Sequence, residues 1–126
     1  MEIKILREVV EFILNAGRET YPKEFIGLLR TKNNVITEVL LLPGTLFGEN
    51  SATLRLEMMP LDPTAIGSVH THPNPSYTPS EEDLRFFQKF GKIHLIARYP
   101  FKSIAHIAAY NQHGQRIRLK EVGKHD

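Results

Sequence analysis

Residues 67–84 read GSVHTHPNPSYTPSEEDL: the end of an apolar strand, a proline-rich return and the acidic start of a helix in one run. AIGSVHTHP, from Ala65, has the pattern of a strand that ends on its histidines. Side chains two residues apart on a strand share a face, so His70 and His72 project together. Pro73, Pro75 and Pro79 restrict the loop that follows, which organises its path before anything binds there. PSEEDLRFFQKFGK then carries helix signals at both ends, with Ser80 as N-cap, acids in the first turn and Gly91 where a C-cap belongs. Leu84, Phe87 and Phe90 are expected to form its buried stripe. Strand, stiff loop and helix start together return Asp83 toward the two imidazoles.

Outward from this stretch, the chain alternates helix and strand patterns. Residues 6–19 place Leu6, Val9, Val10, Ile13 and Ala16 at helical spacing, which predicts an amphipathic helix ended by Tyr21-Pro22. EFIGLL from Glu24, the turn TKNN and VITEVLLLP predict a hairpin. PGTLFGENSA (43–52) reads as a loop, TLRLEM from Thr53 as a half-buried strand and LDPT as a turn. After the second helix come three strand patterns, KIHLIARYP, SIAHIAAYN and QRIRLKEV, the last two joined through NQHG. The order predicts an α+β fold, a sheet flanked by two helices. With 126 residues and no linker-like composition, residues 1–126 are expected to form a single domain.

Composition narrows the chemistry. There is no cysteine, which excludes disulfides, thiolate metal sites and cysteine nucleophiles, so any metal must be held by histidine and carboxylate. The net charge is +2, with basic residues scattered apart from QRIRLKEVGK, which implies no nucleic-acid partner. No run of about 18 apolar residues and no signal-peptide pattern occurs, so neither membrane nor secretion is expected, and the location expected is cytoplasmic.

Two histidines and one carboxylate leave a fourth position open, as in catalytic rather than structural zinc sites. Other patterns built on H-x-H fit less well. Metallo-β-lactamases place Asp two residues after the second histidine, where Asn74 stands, and cupins place Glu three or four residues after it. Asp83 has a second reading, since S-x-x-D is also a capping-box variant in which Asp83 satisfies the backbone of Ser80. Glu81 and Glu82 read as acids that complement the helix dipole. His94, His106, His113 and His125 lack paired spacing and are assigned to strand, turn and tail.

In His70, His72, Pro73, Ser80 and Asp83 the stretch resembles the JAMM, or MPN-plus, metalloproteases, whose pattern is His, any residue, His, Pro, six residues, Ser, two residues, Asp. PKEFIGLL supplies Glu24 where that family has an upstream glutamate. The likeness covers nearly the whole chain and is nearest to short, stand-alone archaeal JAMM proteins. It implies a JAMM/MPN (cytidine-deaminase-like) fold with a curved mixed β-sheet. It further implies Zn²⁺ held by His70, His72 and Asp83, with Glu24 as general base and Ser80 donating to the oxyanion; Ser80 also reads as the helix N-cap. The implied reaction is hydrolysis of the amide bond after the C-terminal glycine of a ubiquitin-like modifier, here a small archaeal modifier and its conjugates. The alternatives are C-terminal trimming of a sulfur-carrier ubiquitin-like protein and a non-catalytic MPN scaffold. An extended tail is expected along an edge at residues 45–57, with Leu46 and Phe47 as contacts. Residues 61–65 leave no room for the helix that many members carry before the H-x-H strand, and a second insertion that shapes chain selectivity is missing.

Overall fold

The computed structural model describes residues 1–41 and 65–123. The expected loop at 43–52, the strand from Thr53, the LDPT turn and the tail edge at 45–57 lie outside the described residues. The elements run β1 (Glu2–Leu6), α1 (Arg7–Thr20), β2 (Ile26–Lys32), β3 (Val35–Leu41), β4 (Ala65–His72), α2 (Glu81–Lys89), β5 (Ile93–Arg98), a 3₁₀ turn (Ile104–His106), β6 (Ile107–Asn111) and β7 (Arg116–Val122). The strand order is β1-β3-β2-β4-β5-β6-β7, and the sheet closes on itself because β1 also pairs with β7. β1 is parallel to β3 and β7, β4 is parallel to β5, and the other pairs are antiparallel, so the sheet is mixed.

β2 explains the layering. Its start and the residue before it are apolar, and alternate side chains enter opposite layers: Phe25, just ahead of the strand, and Leu29 join one buried cluster, Ile26 and Leu28 the other. A strand buried on both faces reads as a continuous apolar run, which is what FIGLL is. α1 supplies Val9, Val10, Ile13 and Leu14 to the first cluster, and α2 supplies Phe86 and Phe87 to the second. The even-numbered side chains Ile96 of β5 and Ala108 and Tyr110 of β6 also belong to the α2 layer.

Three local expectations need correction. The strand β1 was not foreseen, because EIKIL runs straight into the helical periodicity of α1; Ile3 and Ile5 are nevertheless fully buried strand positions. SIAHIAAYN does not extend throughout: Ile104–His106 form a 3₁₀ turn, with the Ser103 hydroxyl accepting from the backbone of Ala105, and the strand starts at Ile107. The buried stripe of α2 is Asp83, Phe86 and Phe87, whereas Leu84 and Phe90 are half-buried.

The chain leaving α2 must turn tightly against β4 and start β5 beside it, and two glycines permit it. A Cβ on Gly67 would stand 1.7 Å from the carbonyl oxygen of Ile93 on the neighbouring strand. Gly91, just past the helix end, has φ +76°, the left-handed conformation that glycine adopts without strain. Lys92 then donates its backbone N–H to Ile66 at 2.7 Å, which starts β5 alongside β4.

Candidate metal centre

β4 is flanked by β2 and β5, and its register fixes what faces what. His70 lies opposite Ile26 of β2 and Ile96 of β5, while Ser68 lies opposite His94. Ser68, His70 and His72 share one face by strand periodicity, and that face looks into the layer occupied by α2. His70 is wedged edge-on against Phe86 and Phe87, with ring centroids at 5.0 and 5.7 Å.

The start of α2 brings the carboxylate in. Ser80 caps the helix by accepting from the backbone of Asp83 at 3.0 Å, and Asp83 Oδ2 accepts in return from the backbone of Ser80 at 2.9 Å. The capping box expected from S-x-x-D is therefore formed, and it fixes where the carboxylate points. Oδ2 lies 3.1 Å from His72 Nε2, and Oδ1 lies 3.8 Å from His70 Nδ1. Capping and convergence on the imidazoles are simultaneous properties of one side chain. The same holds for Ser80, since accepting at the cap uses an oxygen lone pair and leaves the hydroxyl hydrogen to donate.

The hydrogen bonds define the protonation of His72. Its Nδ1 is 2.9 Å from the carbonyl of Ser76, which can only accept, so Nδ1 carries the hydrogen. In the neutral ring Nε2 is then a bare lone pair, and it faces a carboxylate oxygen. Two acceptors at 3.1 Å repel unless a proton or a cation lies between them. The titration behaviour agrees. Burial would raise Asp83, yet the hydrogen bond with His72, the His70 ring and the Ser80 N–H hold it down at about 2. Burial would lower His72, but the bond to Asp83, the Ser76 carbonyl and the nearby charges of Asp83 and Glu24 push it up. His70 is lowered to about 4 by burial, against the opposing pull of Asp83.

Among the described residues no three histidine or carboxylate groups stand in a ready coordination cage; the donors close on one another instead. The donor chemistry nonetheless fits a divalent cation, with two imidazole nitrogens and a carboxylate converging in a largely buried place.

Glu24 lies two residues before β2. Phe25 donates to the Thr71 hydroxyl at 2.8 Å and accepts from the Thr71 backbone at 3.1 Å, which extends the β2–β4 pairing past Ile26 toward His72. Glu24, half-buried and next in line, is close enough for its charge to act on His72.

The structure thus brings together all five residues singled out in the sequence. It adds two that were not: Ser68, and His94, which had been assigned to a plain strand position. Both are wholly buried, and the Ser68 hydroxyl lies 2.8 Å from His70 Nε2 and 2.6 Å from His94 Nδ1. Burial holds His94 neutral, at about 3, with His70 adding to the effect. The available signal was a single imidazole inside the apolar run IHLIA, but linking it to Ser68 requires the parallel register of β4 and β5.

Residues 6–114 match the family model described as prokaryotic homologs of the JAB domain. A protein of Haloferax volcanii named "Probable metalloprotease" is 38% identical over 109 residues, which are 79% of this chain and 67% of that protein. The solved structure of a JAB1/MPN domain protein from Archaeoglobus fulgidus superposes with a TM-score of 0.76 at 36% identity, covering 95% of this chain and 99% of that one. Another, presented as "JAMM: A Metalloprotease-like Zinc Site in the Proteasome and Signalosome", gives a TM-score of 0.76 at 34% identity, covering 97% of this chain and 99% of that one.

Proposed function

This chain belongs to the prokaryotic JAB-domain family, with the JAB1/MPN fold, and from that membership we propose that it is a zinc-dependent isopeptidase. Its substrate in this reading is the amide bond after the C-terminal glycine of a small ubiquitin-like modifier joined to a target protein. The observation that carries the proposal is the apposition of His72 Nε2 and Asp83 Oδ2 at 3.1 Å, with His70 Nδ1 beside the other carboxylate oxygen. A proton satisfies the His72–Asp83 pair in the metal-free chain, and a divalent cation that replaced it would find three donors already converging.

His70, His72 and Asp83 would hold Zn²⁺, which when bound supplies Lewis-acid polarisation of the scissile carbonyl and lowers the pKa of a water. The remaining work falls to the chain's own residues. Glu24, a carboxylate at the edge of the site, takes the proton of the attacking water and passes it to the leaving amine, so one group serves as base and then as acid. Ser80 Oγ, fixed by its cap bond, donates its hydrogen to the oxygen on which charge develops. Pro73, Pro75 and Pro79 keep the return loop on the path that presents Asp83. The modifier's tail is read as an extended strand added at a sheet edge, and the setting as the cytoplasm; no helix among the described residues is long and apolar enough to cross a membrane.

The test is to incubate zinc-loaded protein with defined isopeptide-linked conjugates of a ubiquitin-like modifier and to identify the released termini by mass spectrometry. Free modifier ending in glycine, together with an unmodified target lysine, is the expected pair of products. Release of residues from beyond that glycine on an unconjugated modifier, with conjugates left intact, would overturn the isopeptidase reading in favour of tail trimming.

A further inference from the structure

The mechanism above does not use Ser68 or His94, yet both are fully buried polar side chains, and such groups are costly to bury unless they are bonded to something that matters. Their arrangement is a chain of three: His70 Nε2 to Ser68 Oγ at 2.8 Å, and Ser68 Oγ to His94 Nδ1 at 2.6 Å. A hydroxyl has one hydrogen, and Ser68 Oγ has no third partner among the described residues to donate it to, so it donates to one ring and accepts an N–H from the other. Only two directions are possible.

If His94 donated, Ser68 would donate to His70 Nε2, and a neutral His70 would carry its hydrogen on Nδ1. That hydrogen would face Asp83 Oδ1 at 3.8 Å, too far for a hydrogen bond, and would block coordination. If His70 donates, Nε2 carries the hydrogen, Nδ1 is a lone pair, and His94 must carry its own hydrogen on Nε2. The surroundings of His94 favour the second direction. Its Nε2 has no hydrogen-bond partner at normal distance among the described residues, and the backbone groups that act on the ring are the carbonyls of Phe87 and Gly91. Carbonyls at a long approach suit an N–H and repel a lone pair. The ring cannot easily turn to exchange its nitrogens, because Phe87 stacks on it at 4.2 Å with an interplanar angle of 11°.

We propose that Ser68 and His94 are positioning residues that hold His70 as its Nε2–H tautomer, with the Nδ1 lone pair turned toward Asp83. This rests on the reading of His70 as a metal ligand only for its consequence, which is that the chain prepays the tautomer that zinc requires. Histidine ligands characteristically donate their second nitrogen to a neighbouring group, and loss of such a neighbour typically weakens metal binding by about 10- to 100-fold.

The experiment has two arms on the full chain. Long-range ¹H–¹⁵N correlation spectra of the metal-free protein at pH 7 assign the His70 tautomer. The Nε2–H form is expected, and the Nδ1–H form would overturn the proposal whether or not zinc binds. Competition titration with a chromophoric chelator then gives the zinc Kd of Ser68→Ala, His94→Leu and His94→Asn. Ser68→Ala and His94→Leu are expected to weaken binding by about 10- to 100-fold, with His94→Asn, which keeps an acceptor at the Nδ1 position, recovering most of it. A purely structural role would lower unfolding midpoints and leave the Kd of the folded variants unchanged, which would also overturn the proposal. Wild-type protein that is Nε2–H on His70 but binds no zinc would uphold the positioning chain and remove the metal reading instead.

Discussion

Acidification of the metal-free protein probes the buried histidines most sharply. His70 and His94 are held neutral in the folded chain, at about 4 and about 3, against 6.5 for an exposed imidazole. Their folded values are depressed, so below pH 6.5 the unfolded chain takes up protons that the folded chain does not, and stability falls as pH falls. Between pH 7 and pH 5 each site costs about 2 kcal/mol, so the two together remove about 4 kcal/mol. That is a large share of the 5–15 kcal/mol typical of a domain. His72 opposes this in part: its folded value is raised, so the stability it contributes is partly lost at pH 7 and fully present below pH 6.5. Asp83, held down at about 2, adds a further loss only as pH falls from about 4 toward 2. Urea unfolding of chelator-treated protein at pH 7 and pH 5 measures the difference. The midpoint should drop by roughly 1 M or more for an ordinary urea slope, and His94→Leu should remove at least half of the drop. Equal midpoints at the two pH values would refute the buried, neutral assignment of both rings.

Other perturbations separate the roles of individual residues. Glu24→Gln should keep its zinc yet lose about 10²- to 10⁴-fold in hydrolysis rate, and full activity would move the base elsewhere. Asp83→Asn keeps an oxygen that can accept from the Ser80 backbone, so the cap should survive at a cost below about 1 kcal/mol while zinc affinity drops; normal zinc content by elemental analysis would confine Asp83 to capping. Gly67→Ala would drive a methyl to 1.7 Å from the Ile93 carbonyl, a backbone group that cannot swing aside. Circular dichroism should show loss of cooperative unfolding, and a wild-type melt would mean that β4 and β5 are not this close.

Much of the fold was legible because its elements have local signatures. α1 declared itself through Val9, Val10 and Ile13, and α2 through Ser80 and Gly91, so helix boundaries could be read within a residue or two. β1 could not, because a strand that passes directly into a helix at Leu6, with no side-chain cap, leaves no break in the apolar pattern. The choice between Phe86, Leu84 and Phe90 as buried positions depends on how α2 is rolled on the sheet, which is a tertiary matter. At the site, the local trio His70, His72 and Asp83 was visible from spacing, whereas the placement of Glu24 beside it depends on the Phe25–Thr71 pairing 46 residues apart in sequence. His94 was invisible as a site residue because its partner Ser68 is 26 positions away on a parallel strand.

Metal dependence of hydrolysis tests the proposed function most directly. Chelator-treated protein should be inactive on an isopeptide-linked ubiquitin-like conjugate, one equivalent of zinc should restore cleavage, and Asp83→Ala should remain inactive at the same zinc concentration. Undiminished cleavage by the protein after its metal has been removed would contradict the assignment of His70, His72 and Asp83 as the centre of the chemistry.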